Sequence, residues 1–161
     1  MLHPILPVYD ATSTVLILGS FPSVRSREEG FFYGHPRNRF WAVLAKILNE
    51  PQPATIGEKR SFLLRHGIAL WDVVSSCEVT GSADSSIRKV VPHDLSPILA
   101  VSPIRCILLN GKTAASFYRR YGEKEGYPRA ICLPSTSPAN ASLSLDDLVD
   151  AWQILRDYLE K

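Results

Sequence analysis

At 161 residues, with 18 Lys plus Arg against 16 Asp plus Glu, the chain has room for one compact domain over residues 1–161 and none for a second. Its 45% hydrophobic and 21% charged residues exclude general disorder, and no run approaches the roughly 18 uninterrupted apolar residues of a membrane helix. Residues 1–4 lack a basic region leading into an apolar run, so a cytoplasmic location is expected.

Val15-Leu16-Ile17-Leu18 is an all-apolar run ended by Gly19, the pattern of a strand buried on both faces. From Arg39 onward, Phe40, Trp41, Leu44, Ile47 and Leu48 form one stripe of a helix that Pro51 closes. A second helix is expected over residues 56–66 with Gly67 as its stop, followed by a second strand, Ile68-Ala69-Leu70-Trp71, with Asp72 at its carboxyl end. Residues 75–93 are polar and aperiodic and read as a long loop. Then come a short helix over 94–101, a third strand over 104–109, a helix over 112–121 capped by Gly122, and a fourth strand over 129–133. After the polar run 134–141, Ser144-Leu145-Asp146-Asp147 resembles a capping box. It opens a helix whose face carries Leu145, Leu148, Val149, Trp152, Leu155 and Leu159. The alternation predicts a three-layer α/β/α fold around a parallel four-stranded sheet, with ligands at the carboxyl ends of the strands.

Cys77, Cys106 and Cys132 are odd in number and widely spaced, so neither a disulfide framework nor an iron–sulfur cluster is expected, and no Cys or His pair has zinc-finger spacing. The net charge of +2 hides an asymmetry. Residues 1–133 hold 16 basic and 11 acidic residues, whereas residues 134–161 hold 2 and 5. A weakly basic face permits DNA without demonstrating it.

Three familiar loops are missing. Asn110-Gly111-Lys112-Thr113 resembles the end of a phosphate-binding P-loop, but Cys106 stands where the first glycine is required. Neither the G-x-G-x-x-G pattern nor the G-x-S-x-G nucleophile elbow occurs, which weakens nicotinamide and serine-hydrolase readings.

Three segments that come directly after strands remain: Gly19-Ser20-Phe21-Pro22-Ser23 with its extension over residues 30–41, then residues 67–72, then residues 133–140. In a parallel sheet these converge on one edge. The densest, Phe31-Phe32-Tyr33-Gly34-His35-Pro36-Arg37-Asn38-Arg39-Phe40-Trp41, interleaves aromatics that offer a face to a base with arginines that suit phosphates. G-S-F-P-S, G-F-F-Y-G-H-P-R-N-R-F-W and L-P-S-T-S-P-A-N resemble the motifs of the uracil-DNA glycosylase superfamily. They are most similar to the branch acting as DNA-deoxyinosine (hypoxanthine-DNA) glycosylase.

The resemblance implies a uracil-DNA glycosylase-like fold and hydrolysis of the N-glycosidic bond of a damaged base, chiefly hypoxanthine, turned out of the duplex. It implies no metal or organic cofactor, DNA containing a deaminated base as partner, no membrane, and action as a monomer. Asn38 matches the asparagine of the H-P-x-N-R-F-W stretch and is assigned to catalysis, holding water or steadying the sugar cation through its amide oxygen; the alternative is an N-cap of the next helix. Tyr33, with Phe32 as substitute, is placed against the flipped base, the alternative being a core tyrosine. Asp72 stands where uracil-specific relatives carry an asparagine that reads the base edge, or is a simple cap. His35 is a donor to base or phosphate, or a structural residue.

Phe21 replaces the polar residue usual in the first motif and is grouped with the base contacts; Leu133 replaces a histidine or asparagine. Ser23, Arg37, Arg39, Ser135, Thr136 and Ser137 are assigned to DNA, with Pro138-Ala139-Asn140 as a wedge, against the alternatives of solvated arginines and a serine-rich turn. The competing functions are a mismatch-specific uracil/thymine glycosylase and a non-catalytic nucleic-acid-binding module. The apolar Phe21 and Leu133 favour the latter.

Overall fold

The computed structural model describes residues 1–78 and 87–159. Four parallel strands form the central sheet: β1 (Val15–Gly19), β2 (Ile68–Asp72), β5 (Cys106–Asn110) and β6 (Arg129–Leu133), in the order β2-β1-β5-β6. The register sets Gly19 beside Asp72 and Asn110 beside Leu133, so the carboxyl ends lie abreast. From β1 the chain crosses to one side and from β5 to the other. The crevice between those two strand ends is therefore the topological switch point, where open α/β sheets bind ligands.

Every residue of β1 is buried because both faces are covered. On one face Val15, Ile17, Leu70 and Leu108 meet Phe40, Trp41 and Leu44 of α2 (Phe40–Leu48), Phe62 of α3 (Ile56–Arg65), and Leu148 and Trp152 of α6 (Leu145–Trp152). On the other, Leu16, Leu18, Ile107 and Leu109 meet Ile98 of α4 (Ser96–Val101) and Ala115 of α5 (Lys112–Phe117). That is the expected three-layer arrangement.

Several local expectations are corrected. α1 (Val24–Glu29), unforeseen, comes after the first motif and ends at Gly30 in the left-handed region. The segment 75–93 is not one loop. β3 (Val74–Glu78) and β4 (Arg88–Pro92) pair antiparallel, and two register shifts in that ladder erase the alternation that would have marked strands; residues 79–86 of the expected loop lie outside the described residues. The helix at 112–121 widens after Phe117 into a π-type turn, Tyr118–Gly122, in which the Glu123 N–H reaches back five residues to the Tyr118 carbonyl. The final helix breaks at Gln153 and resumes as α7 (Ile154–Leu159), yet Leu148, Trp152 and Leu155 stay fully buried on one face. Ser144 opens α6 with the expected capping box, its hydroxyl accepting from the Asp147 N–H.

The N-terminal segment closes one flank. The Met1 ammonium donates to the Cys77 carbonyl, the Cys77 N–H to the Met1 carbonyl and the His3 N–H to the Ser75 carbonyl, while Val8 and Leu70 exchange main-chain bonds. This covers the outer edge of β2 and carries His3 inward.

Candidate active site

A cleft of about 530 Å³ opens at the switch point. Its floor is Gly19 and Asp72. One wall is the 20–38 stretch, contributing Phe21, Ser23, Phe32, Tyr33, His35 and Asn38; the other is Asn110 with residues 135–139. The three segments singled out in the sequence thus converge, although Arg37, Arg39 and Asn140 do not line the cleft.

Gly19 is required here by proximity. A Cβ on it would lie 2.5 Å from Asp72 Oδ1 and 2.7 Å from Tyr33 Oη, so a hydrogen side chain is what lets both groups occupy the floor. Tyr33 holds φ of 54°, a left-handed conformation costly for a bulky residue by about 1–2 kcal/mol, and stacks on Phe40 with centroids 4.1 Å apart. One ring face is taken by Phe40, which leaves the other face and the edge for the cleft.

A relay of side-chain hydrogen bonds joins the two walls. The Thr136 N–H donates to Asn110 Oδ1 (3.0 Å), Asn110 Nδ2 donates to Thr136 Oγ1 (3.0 Å), and the Thr136 hydroxyl donates to Asn38 Oδ1 (2.9 Å), which also accepts from the Phe40 N–H (3.0 Å). Main-chain N–H groups are obligatory donors, so the two at the ends of this relay fix which atom of each amide faces which way. Two consequences correct the expected chemistry. Asn38 is not the N-cap of α2, which is Arg39, but stands one residue before it, and its amide oxygen already accepts two hydrogen bonds, one of them from the Phe40 N–H two residues on; its NH2, with no protein partner among the described residues, is the group it offers a ligand. Thr136, with no exposed surface, is an internal strut and not a phosphate contact.

The remaining expected DNA contacts divide. The Ser23 hydroxyl caps α1, accepting from the Ser26 N–H. Ser135 and Ser137 each accept from a main-chain N–H two residues on, at Ser137 and Ala139, which makes a serine-built turn with Pro138 and Ala139 exposed at its tip. Asn140 folds back, donating to the Ser135 carbonyl. The Arg39 guanidinium donates to the carbonyls of Asn140 and Leu143, and its main-chain N–H to the Thr136 carbonyl, so it ties two loops together and does not reach for phosphate. Arg37 is exposed. His35, exposed at the cleft mouth, accepts the Arg37 N–H at Nδ1, which puts its neutral-ring proton on Nε2.

Sequence reasoning missed three residues. Asn110 was set aside with the failed P-loop, though its place at the end of β5, abreast of the other strand ends, is a usable signal. His3 had no local signal; its Nε2 bonds Asp72 Oδ2 at 2.8 Å, with the two side chains 1% and 4% exposed. His93 donates from Nδ1 to the Asp72 carbonyl and stacks on Trp71 at 3.6 Å. Burial depresses its pKa to about 4, outweighing the Asp72 carbonyl bond that pulls the other way, so the ring is neutral near pH 7. Among the described residues no group of three His, Cys, Asp or Glu side chains is arranged to hold a metal ion, and no helix is long and apolar enough to cross a membrane.

Known proteins share this architecture and sequence. Residues 6–156 match the family model of the uracil DNA glycosylase superfamily. A protein named hypoxanthine DNA glycosylase from Methanosarcina barkeri is 32% identical over 85% of this chain and 87% of its own; a protein of the same name from Methanosarcina acetivorans is 35% identical over the same shares. The solution NMR structure of a Methanosarcina acetivorans protein, described provisionally as a uracil DNA glycosylase, superposes with a TM-score of 0.78 at 31% identity, covering 97% of this chain and 99% of that one. With the match spanning nearly the whole chain and the cleft at the strand ends, the chain belongs to the uracil DNA glycosylase superfamily, a family of DNA glycosylases.

Proposed function

We propose that the chain is a monofunctional DNA glycosylase, acting as a cytoplasmic monomer, that hydrolyses the N-glycosidic bond of deaminated bases, hypoxanthine first, after the nucleotide has rotated out of the duplex. The observation that carries this reading is the convergence of Asp72, Tyr33 and Asn38 on one cleft of about 530 Å³, inside the roughly 300–1,000 Å³ range of small-molecule sites. The names of the two Methanosarcina relatives support the choice of base. The chemistry of Asp72 supports it too. A carboxylate accepts hydrogen bonds, and deamination turns N1 of adenine, like N3 of cytosine, from an acceptor into an N–H donor. Adenine and cytosine turn a lone pair toward that carboxylate and are refused, whereas guanine and thymine keep an N–H there and are not separated by this contact.

Cleavage separates a cationic sugar from an anionic base, so fixed donors near the base lower the barrier without a covalent nucleophile. The Asn38 NH2 group is such a donor, held rigid by the relay behind it, and binds either the attacking water through its oxygen or the charge growing on the base. His35 Nε2–H is a second donor at the mouth. Tyr33 supplies a stacking face worth about 1–3 kcal/mol, and the Pro138-Ala139 tip enters the space the base vacates. The test is strand scission after alkali on duplexes holding one inosine or one uracil. Inosine DNA left intact by excess protein refutes the reading, and preferential cleavage at uracil moves the specificity to the mismatch-type alternative. Asn38→Ala is expected to abolish turnover while preserving duplex binding.

A further inference from the structure

We infer that His3 is a positioning residue for base selection: it locks Asp72 so that one carboxylate oxygen is held by protein and the other faces the flipped base. The inference rests on the reading of Asp72 given above. The Ile5 N–H donates to His3 Nδ1 at 3.2 Å, and because a main-chain N–H can only donate, the ring proton lies on Nε2. Nε2–H then donates to Asp72 Oδ2 at 2.8 Å, across 69 residues of sequence. The ring has almost no room to turn. It sits edge-on to Phe21 at 5.7 Å and to His93 at 4.7 Å, and its side chain is 1% exposed. Asp72 Oδ1, by contrast, has no hydrogen-bond partner among the described residues and hangs over Gly19, where a Cβ would approach it to 2.5 Å.

A carboxylate with both oxygens loose can rotate to offer either, or swing away. With Oδ2 fixed, a single acceptor direction remains, and it selects bases that bring an N–H. The main-chain bonds that pin residues 1–3 against β3 thereby take part in substrate choice, through a residue that itself touches no substrate.

The test compares His3→Leu, which keeps the bulk and loses the donor, with His3→Gln, whose amide restores a donor near the position of Nε2. Single-turnover rates are measured on duplexes carrying one deoxyinosine or one deoxynebularine, a purine without the N1–H. The expected result is that His3→Leu lowers the inosine-to-nebularine ratio ~10- to 100-fold, as for loss of a hydrogen bond to a charged group, while His3→Gln recovers most of it. In an Asp72→Asn background, His3→Leu is expected to change the ratio no further. A parallel slowing on both bases, or an unchanged ratio, overturns the inference. Should His3→Leu fail to fold, nitrogen-15 NMR of the intact protein decides: the Nε2–H tautomer, with a signal that moves in Asp72→Asn, upholds it, and an Nδ1–H tautomer refutes it. A wild-type chain inert on inosine and uracil DNA refutes the glycosylase reading, whereas an active one whose preference survives His3→Leu refutes this inference alone.

Discussion

Thr136→Val tests whether the relay between the walls matters. The two side chains are nearly isosteric, so the substitution removes one hydroxyl and leaves the packing at a fully buried site almost intact. Two hydrogen bonds disappear, from Asn110 Nδ2 at 3.0 Å and to Asn38 Oδ1 at 2.9 Å, each worth about 1 kcal/mol net. The Asn110 NH2 is also left buried beside a methyl group, a penalty of about 1–3 kcal/mol if no water enters. The sum is about 3–5 kcal/mol, or a fall in Tm of about 6–20 °C for a chain of this length. The Phe40 N–H still holds Asn38, so the amide is loosened and not lost; single-turnover cleavage of inosine DNA is expected to slow by ~10-fold with little change in half-saturating protein concentration. Thr136→Ser, which keeps the hydroxyl, is expected to stay close to wild type in rate. The readouts are thermal melting and single-turnover kinetics on the same preparations. A Thr136→Val protein with wild-type melting and wild-type rate would show that the relay neither stabilises the walls nor aims Asn38.

Gly19→Ala is expected to be worse for activity than for folding. The new methyl lands on Asp72 Oδ1 and Tyr33 Oη, not on backbone, so those side chains must shift, at about 1–3 kcal/mol of overpacking and with loss of most inosine cleavage. Wild-type turnover in this variant would remove Asp72 and Tyr33 from the base site. The His93 imidazole makes stability depend on acid. Its pKa falls from 6.5 when unfolded to about 4 when folded, so the unfolded chain binds the proton more readily between those values. Its stabilising contribution is fully present above pH 6.5 and is lost as the pH drops toward 4, by about 1–2 kcal/mol once solvent reaching the half-buried ring is allowed for. Urea unfolding of wild type and His93→Phe, which keeps the stacking on Trp71, is expected to give a flatter pH dependence in the variant across that window; parallel curves would contradict it.

Much of the fold was legible because its signals are local. Val15-Leu16-Ile17-Leu18, an all-apolar run stopped by Gly19, has the pattern of a strand covered on both sides and is one, and Arg129–Leu133 is a strand with the bounds its composition suggests. The stripe over residues 40–48 buries Phe40, Trp41, Leu44 and Ile47 as its spacing predicts, while Leu48 is only half-buried and Val43 and Ala45, off the stripe, are buried as well. The features that escaped depended on partners far away. The β3–β4 ladder is shifted twice, so neither strand keeps a period of two. The break at Gln153 leaves the apolar face continuous, with Trp152 anchored by its indole N–H on the Pro134 carbonyl, and periodicity does not register it.

The site shows the same division at finer scale. Residue type and position brought Asn38, Asp72 and Tyr33 to one cleft, because a parallel sheet gathers the carboxyl ends of its strands, and the loops leaving them, along one edge. Type alone could not say which half of an amide is available. Asn38 carries one acceptor and one donor group, and Thr136, 98 residues on, is one of the two partners that engage its oxygen. That inversion also reinterprets Phe21. An apolar residue in the first motif looks like lost chemistry if the site needs a base to activate water. It is no loss if the work falls to a preorganised donor that meets negative charge or a water oxygen as the bond breaks. Asn38→Asp separates the two accounts. It keeps an oxygen toward Phe40 and Thr136 and replaces the NH2 with a second oxygen. A site that needs an acceptor keeps or gains activity, whereas a site that needs the donor loses it as fully as in Asn38→Ala.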